Sequence, residues 1–274
     1  MTKTREDYTN ANRIAWNESA SRHAAQNNAA LFEAFKDPDH ITFKGDILET
    51  LLKVDVKGKN IIHLCCNNGC ETLSLRNMGA ARCVGVDAAD EFLAHGREMI
   101  RIAGAENEVQ LINCDVYNLP GNLKGCFDIV LITIGVLCWM PDLEEFFRVI
   151  QGLLKPDGKL VMEEAHPVLQ MYEENPETGT SFVEYSYFSE KIWKETSGLD
   201  YYSGEEYDSE PNYSFMHRLD EILMAGIGNS LNLLSFRELD YDISYRCMDL
   251  EDSPIKPPLG FVMVMENGII KDQT

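Results

Sequence analysis

Positive charge is scarce in this sequence. Its 274 residues carry 24 Lys and Arg against 45 Asp and Glu, a formal charge of −21. Phosphate contacts need a basic surface, so a nucleic-acid partner is not expected, and neither is docking on anionic lipid. Also missing is any apolar run of the roughly 18 residues that a membrane helix needs. The opening MTKTREDYTNANR lacks the apolar stretch of a secretory signal, so the expected location is the cytoplasm. No internal repeat is present. Eight cysteines occur, but CCNNGC with His63 matches no common zinc spacing, and no metal is expected. Without an export signal they are read as free thiols. Five of them (Cys65, Cys66, Cys83, Cys114 and Cys138) lie in or beside apolar strand-like runs, where cysteine behaves as a small hydrophobe.

Glycine is missing at one telling place. Asn60 to Leu75, NIIHLCCNNGCETLSL, reads as a buried strand, a tight turn and the first turns of a helix. Turns of this kind that hold a nucleotide-like ligand usually carry glycines in a G-x-G-x-G spacing. Here those places hold Cys65, Asn67 and Gly69. A side chain without positive-φ freedom narrows the backbone choices, although Asn tolerates the left-handed region better than most.

What is present is a regular alternation. NIIHLCC, RCVGVDA, EVQLINCD, FDIVLITIGVL and KLVMEEA read as strands, with helices CETLSLRNMG, DEFLAHGREMIRIAG and DLEEFFRVIQGLL between them. KPDG, before the fifth strand, is turn chemistry. Apolar strands alternating with helices predict a parallel sheet covered on both faces, with ligands at its carboxyl edge. LNLLSFRELDYDI and LGFVMVMENG read as two closing strands, the last expected antiparallel. Asp87 ends the second strand and could accept ribose hydroxyls. Asp115 ends the third, where it could meet an adenine edge. Either could equally cap a helix or turn.

At these residues the chain resembles the class I S-adenosylmethionine-dependent methyltransferases. IHLCCNNG lies without a gap on their common LDLGCGTG, and VGVDAAD, INCDVYNLP, FDIVLITIGVLCWMPDL and FFRVIQGLLKPDGKLVMEE resemble the motifs that follow. The likeness spans about residues 58–165. A narrower one is to a bacterial small-molecule subgroup with LHLQCHFGxDTLS at the loop, ALCWLPDL and EFHPVL further on, and NRxxWDERAxxH at the start. This chain has IHLCCNNGCETLS, VLCWMPDL, EAHPVL and NRIAWNESASRH. In that subgroup the loop also lacks the full glycine set, and His stands where most class I enzymes have Asp.

The resemblance implies an α/β, Rossmann-like, seven-stranded and mostly parallel sheet with an N-terminal helical cap (1–57), a binding core (58–165), an insertion after the fifth strand (166–213) and a C-terminal remainder of the core (214–274). It implies S-adenosylmethionine as cofactor, S-adenosylhomocysteine as product and a small-molecule methyl acceptor. His63, Cys65, Asn67 and Gly69 would form the loop around the methionine part. Asp87 and Ala88 would serve the ribose, and Asp115 and Val116 the adenine. Thr133 and Ile134 would lie under the sulfonium, with Tyr8, Asn12 and Trp16 on a helix closing over the cofactor. Transfer from a sulfonium rests on orientation and desolvation, and a base is needed only for a protonated nucleophile. His166, His23 and Glu164 are the candidates, with His217 beside them. Each histidine could instead be structural. The acidic insertion, with Tyr185, Trp193, Tyr201, Tyr202, Tyr207 and Tyr213, is expected as a lid suited to a cationic substrate, or else as a solvated surface. The oligomeric state is expected to be monomer or homodimer. A dehydrogenase would want a G-x-G-x-x-G loop, which is absent; a non-catalytic S-adenosylmethionine-binding protein is the alternative.

Overall fold

A computed structural model describes residues 3–200 and 206–268. Helices α1 (Arg5–Ala34) and α2 (Gly45–Val54) lead into β1 (Asn60–Leu64), α3 (Cys70–Asn77), β2 (Arg82–Asp87), α4 (Asp90–Ile102) and β3 (Val109–Asn113). Then follow β4 (Phe127–Ile132), α5 (Leu143–Leu153) and β5 (Leu154–Ala165). The insertion contributes β6 (Tyr172–Asn175), β7 (Thr180–Val183), β8 (Ile192–Glu195) and β9 (Asn212–Phe215), and the core closes with α6 (Leu219–Gly228), β10 (Leu231–Leu239) and β11 (Gly260–Asn267).

The sheet has seven strands in the order β10-β11-β5-β4-β1-β2-β3. β1 to β5 are parallel, and β11 runs antiparallel to both β5 and β10. The order reverses between β1 and β4, which puts the crevice above their carboxyl ends. The inner strands β1, β2, β4, β5 and β11 are largely buried on both faces, as their near-continuous apolar runs require, while the edge strand β10 is mostly exposed. Ile62, Val130, Leu160 and Phe261 belong to one core with α5 and α6; Ile61, Ile129, Leu131 and Val161 belong to the other with α2 and α3.

Two boundaries differ from the sequence reading. β4 stops at Ile132, well short of Leu137, because Gly135 takes φ 85° and the next amides turn inward to Glu164. KPDG does not precede β5 but bulges within it: Leu154 pairs with Phe127 and Lys159 with Ile129, with Asp157 at φ 62° between them. The insertion, read only as an aromatic segment, forms two small antiparallel pairs, β6–β7 and β8–β9. β9 runs past the expected boundary at 213.

Candidate active site

The loop after β1 answers the question raised by its missing glycines. Cys65, Asn67 and Gly69 all take left-handed backbone, at φ 54°, 52° and 72°. At Cys65 and Asn67 the glycine-type path is therefore kept by residues for which it is strained, at about 1–2 kcal/mol for an ordinary L-residue and less for Asn. The surroundings hold it. The Cys66 N–H donates to Val86 O at 2.9 Å, the Asn67 N–H to Asp87 Oδ2 at 2.8 Å and the Gly69 N–H to Cys66 O at 2.8 Å. Gly96 on α4 makes room: a Cβ there would lie 2.3 Å from Asn68 O. Gly96 was not singled out from sequence; an isolated glycine in a helical pattern is the signal that could have found it.

Asp87 and Asp115 stand at the ends of β2 and β3, as expected. Asp87 accepts the Asn67 N–H and, through Oδ1, the Ala89 N–H at 2.9 Å. A carboxylate has about four acceptor sites, so capacity for a further donor remains. Burial pushes its carboxyl up to about 6 against these bonds. Ala88 gives its carbonyl to Asn113 Nδ2 at 2.9 Å. Asp115 caps the turn at Val116–Asn118 through the Tyr117 N–H and also accepts the Thr9 hydroxyl at 2.6 Å. It thus caps a turn and ties α1 to the end of β3, and Thr9 was not singled out from sequence. Val116 is buried beside it.

At the ends of β1 and β4 lies a directional chain. Thr133 Oγ1 donates to Glu71 Oε2 at 2.8 Å. With its proton so used, Thr133 accepts from His63 Nε2 at 3.1 Å, and His63 Nδ1 then accepts from Thr72 Oγ1 at 3.1 Å. His63 is fully buried, which lowers it to about 3 and keeps it neutral. Glu71 was not singled out from sequence.

The expected bases are committed elsewhere. Glu164 accepts four backbone N–H groups, those of Gly135 and Ala165 on Oε1 and those of Val136 and Leu137 on Oε2, at 2.8 to 3.0 Å. All its acceptor sites are filled, so in this structure it holds the loop after β4. His166 caps the turn after β5, its Nδ1 accepting from the Val168 N–H at 3.2 Å. Its Nε2 lies 3.3 Å from Glu238 Oε1, out of line for a hydrogen bond and on the β10 side, away from the β1 loop. His23 Nε2 donates to Leu199 O at 2.7 Å, and His217 Nε2 to Met140 O at 2.8 Å. Burial lowers all three histidines, so each ring is neutral at pH 7.

Helix α1 closes over this edge. Asn12 pairs with the backbone of Tyr213 on β9, donating to its O at 2.8 Å and accepting from its N–H at 2.6 Å. Tyr8 packs edge-on to Tyr213 and Phe215, each at 5.2 Å. Trp16 meets Phe92 of α4 at 5.9 Å and Trp139 at 5.5 Å, so it both packs the helix and bridges to the loop after β4. The insertion's aromatics largely serve one another: Tyr185 meets Trp193 at 4.4 Å, and Lys191 sits over Trp193 at 3.4 Å. Tyr201 and Tyr202 lie outside the described residues. Beside the loop, His23, Asn67, Asn68 and Phe92 enclose a space of only about 10 Å³, enough for about one water. A cleft of about 460 Å³ lies between α1 and α4, lined by Arg13 and Asn17 of the first and Glu91 and His95 of the second. No residue of β4 or β5 lines it.

Residues 62–162 match the model of the methyltransferase domain family. The strand order is that of S-adenosylmethionine-dependent methyltransferases: one from Mesorhizobium loti superposes with a TM-score of 0.59 at 18% identity, over 81% of this chain and 98% of that one. Among curated relatives, a demethylmenaquinone methyltransferase of Lactobacillus johnsonii is 34% identical over 119 residues, 42% of this chain and 48% of the relative. A ribosomal protein L11 methyltransferase of Vibrio cholerae is 28% identical over 135 residues, 47% of this chain and 43% of the relative. The chain thus spans about half the length of these relatives. No helix among the described residues is long and apolar enough to cross a membrane, and no cluster of metal-ligating side chains occurs among them.

Proposed function

We propose that the chain is an S-adenosylmethionine-dependent methyltransferase acting on a small molecule. The observation that carries this reading is the left-handed backbone at Cys65 and Asn67, tied through the Asn67 N–H to the Asp87 carboxylate. That strain persists in the methyltransferase part of the chain, and strained backbone held in place by its surroundings is a feature of ligand clamps. The residues fit the cofactor: Asp87 retains acceptor capacity for ribose hydroxyls, and Asp115 and Val116 border the adenine side. When bound, the cofactor supplies a methyl group on an activated sulfonium. The chain's own part is to orient it through the loop, to exclude water by closing α1 and Trp16 over it, and to hold the acceptor beneath residues 166–213.

His23, His166 and His217 are neutral and hydrogen-bonded to backbone, so the reading favours an acceptor that needs no histidine to remove its proton. The formal charge of −21 favours a small molecule over a nucleic acid. The relatives named above include one acting on a quinone precursor and one acting on a protein, so the acceptor class rests on this chain's own surface. The same commitment of the histidines and Glu164 to structure favours, as second reading, a protein that binds the cofactor without turning it over. Incubation with methyl-labelled S-adenosylmethionine and small-molecule extracts tests both. Label transferred to a small product supports the enzyme; tight binding with no transfer supports the second reading; no binding removes both.

A further inference from the structure

Glu71 stands two residues beyond the loop's glycine, at the start of α3, and its carboxylate is held in a defined pose. Thr133, at the end of β4, donates to Oε2 at 2.8 Å, and His63 Nε2 lies 3.6 Å from the same oxygen. The chain from Thr72 through His63 and Thr133 therefore points its hydrogens one way, toward Glu71. Among the described residues no donor reaches Oε1. The side chain is 31% exposed.

The charge around it is unbalanced. His63 is neutral. Glu163, nine-tenths buried on the adjacent strand β5, is raised to about 8, first by burial and next by the charge of Glu71 itself. Asp46, the next carboxylate, already pairs with Arg237. Among the described residues no Lys or Arg nitrogen comes within 4.0 Å of Glu71 or Glu163. Glu163 therefore holds its proton at pH 7, and Glu71, itself raised by burial against the Thr133 bond, is left without a cation beside the β1–β4 crevice, where a positively charged group would be stabilised strongly.

We infer that Glu71 is the anchor for a primary ammonium group, that of the aminobutyrate tail of the bound cofactor. This rests on the cofactor reading above. Thr133, the hydroxyl partner of Glu71, directly follows β4 and lies under the sulfonium in that reading, so the carboxylate is one hydrogen bond away from it. The histidine at position 63 carries no charge, and Glu71 places the missing negative charge beside it.

The test is equilibrium binding of S-adenosylhomocysteine and of 5′-methylthioadenosine, which lacks the aminobutyrate tail. Glu71→Gln keeps an oxygen for Thr133 but removes the charge. It should weaken S-adenosylhomocysteine at least tenfold and leave 5′-methylthioadenosine within about twofold, which also reports that the variant is folded. Independently, an analogue of S-adenosylhomocysteine with a hydroxyl in place of the ammonium should bind the unaltered protein at least tenfold more weakly than the parent. Equal losses for both ligands in the variant would make Glu71 a support of the loop and overturn the assignment. Unchanged S-adenosylhomocysteine binding, or an analogue as tight as the parent, would also overturn it. If the unaltered protein binds neither nucleoside, the cofactor reading falls and this inference falls with it.

Discussion

The Asn67 N–H donates to Asp87 Oδ2 at 2.8 Å, which ties the loop after β1 to the end of β2. The same carboxylate is proposed to receive the ribose. Asp87→Ala should therefore weaken S-adenosylmethionine binding by about 1.5–3 kcal/mol, the range for hydrogen bonds to a charged group, or roughly 10- to 100-fold. Calorimetry with an unchanged dissociation constant would place the ribose elsewhere.

The same residue sets a pH dependence. Burial raises its carboxyl to about 6, and only the ionised form accepts two hydroxyls. Affinity should be full above that pH and fall toward tenfold per unit as pH drops through it. Stability runs the other way. The folded state holds this proton more tightly than the unfolded chain, so the contribution is present below the ordinary value of 3.8 and lost as pH rises through about 6. Asp87→Asn should remove both dependences in binding and unfolding titrations.

Cys65 pairs a side chain with a left-handed backbone at φ 54°. Comparing Cys65→Gly with Cys65→Ala isolates the backbone, since both lose the thiol. The glycine variant should be the more stable by about 1 kcal/mol, the reverse of the usual order for these residues. Urea unfolding midpoints in which alanine is the more stable would show that the loop relaxes out of the left-handed region.

Glu164 holds Gly135, Val136 and Leu137 by their amides. In Glu164→Gln the amide nitrogen would face backbone donors and leave them unsatisfied, at about 1–3 kcal/mol for each group. A loss of at least about 2 kcal/mol is expected in chemical denaturation. A variant of full stability that has lost only turnover would restore Glu164 as a base.

Asn12 makes two buried hydrogen bonds with the Tyr213 backbone and so fastens α1 to β9. If the cofactor binds at the loop, where the space beside Asn67 is about 10 Å³, α1 is the element that would lift to admit it. Asn12→Ala should loosen this strap and raise both association and dissociation rates of S-adenosylhomocysteine in stopped-flow traces. Unchanged rates would mean that entry proceeds by another path.

If residues 166–213 cover the acceptor, replacing Thr178–Asp208 by a short Gly/Ser linker should leave cofactor affinity within a few-fold. Turnover should fall more than about tenfold, or about 1.4 kcal/mol. β9 loses its partner β8 in this variant, so a thermal melt must first show the core intact. Full turnover in a folded variant would make the segment surface decoration.

The strand–helix alternation, the loop and the two acids at its edge were legible in the sequence because each is a local signal. Burial on both faces makes an apolar run, a left-handed turn restricts which residues serve, and an acid after a strand marks the carboxyl edge. The roles of the histidines and of Glu164 were not legible. His23 meets Leu199 from 176 positions away, and Asn12 meets Tyr213 from 201. Whether a ring nitrogen is a base or a strap depends on which backbone group the fold brings to it, and no local pattern carries that partner. The same holds for Glu71: its position in the chain is that of any first-turn helix acid. Only the approach of β4 to β1 sets Thr133 against it and turns its carboxylate toward the crevice.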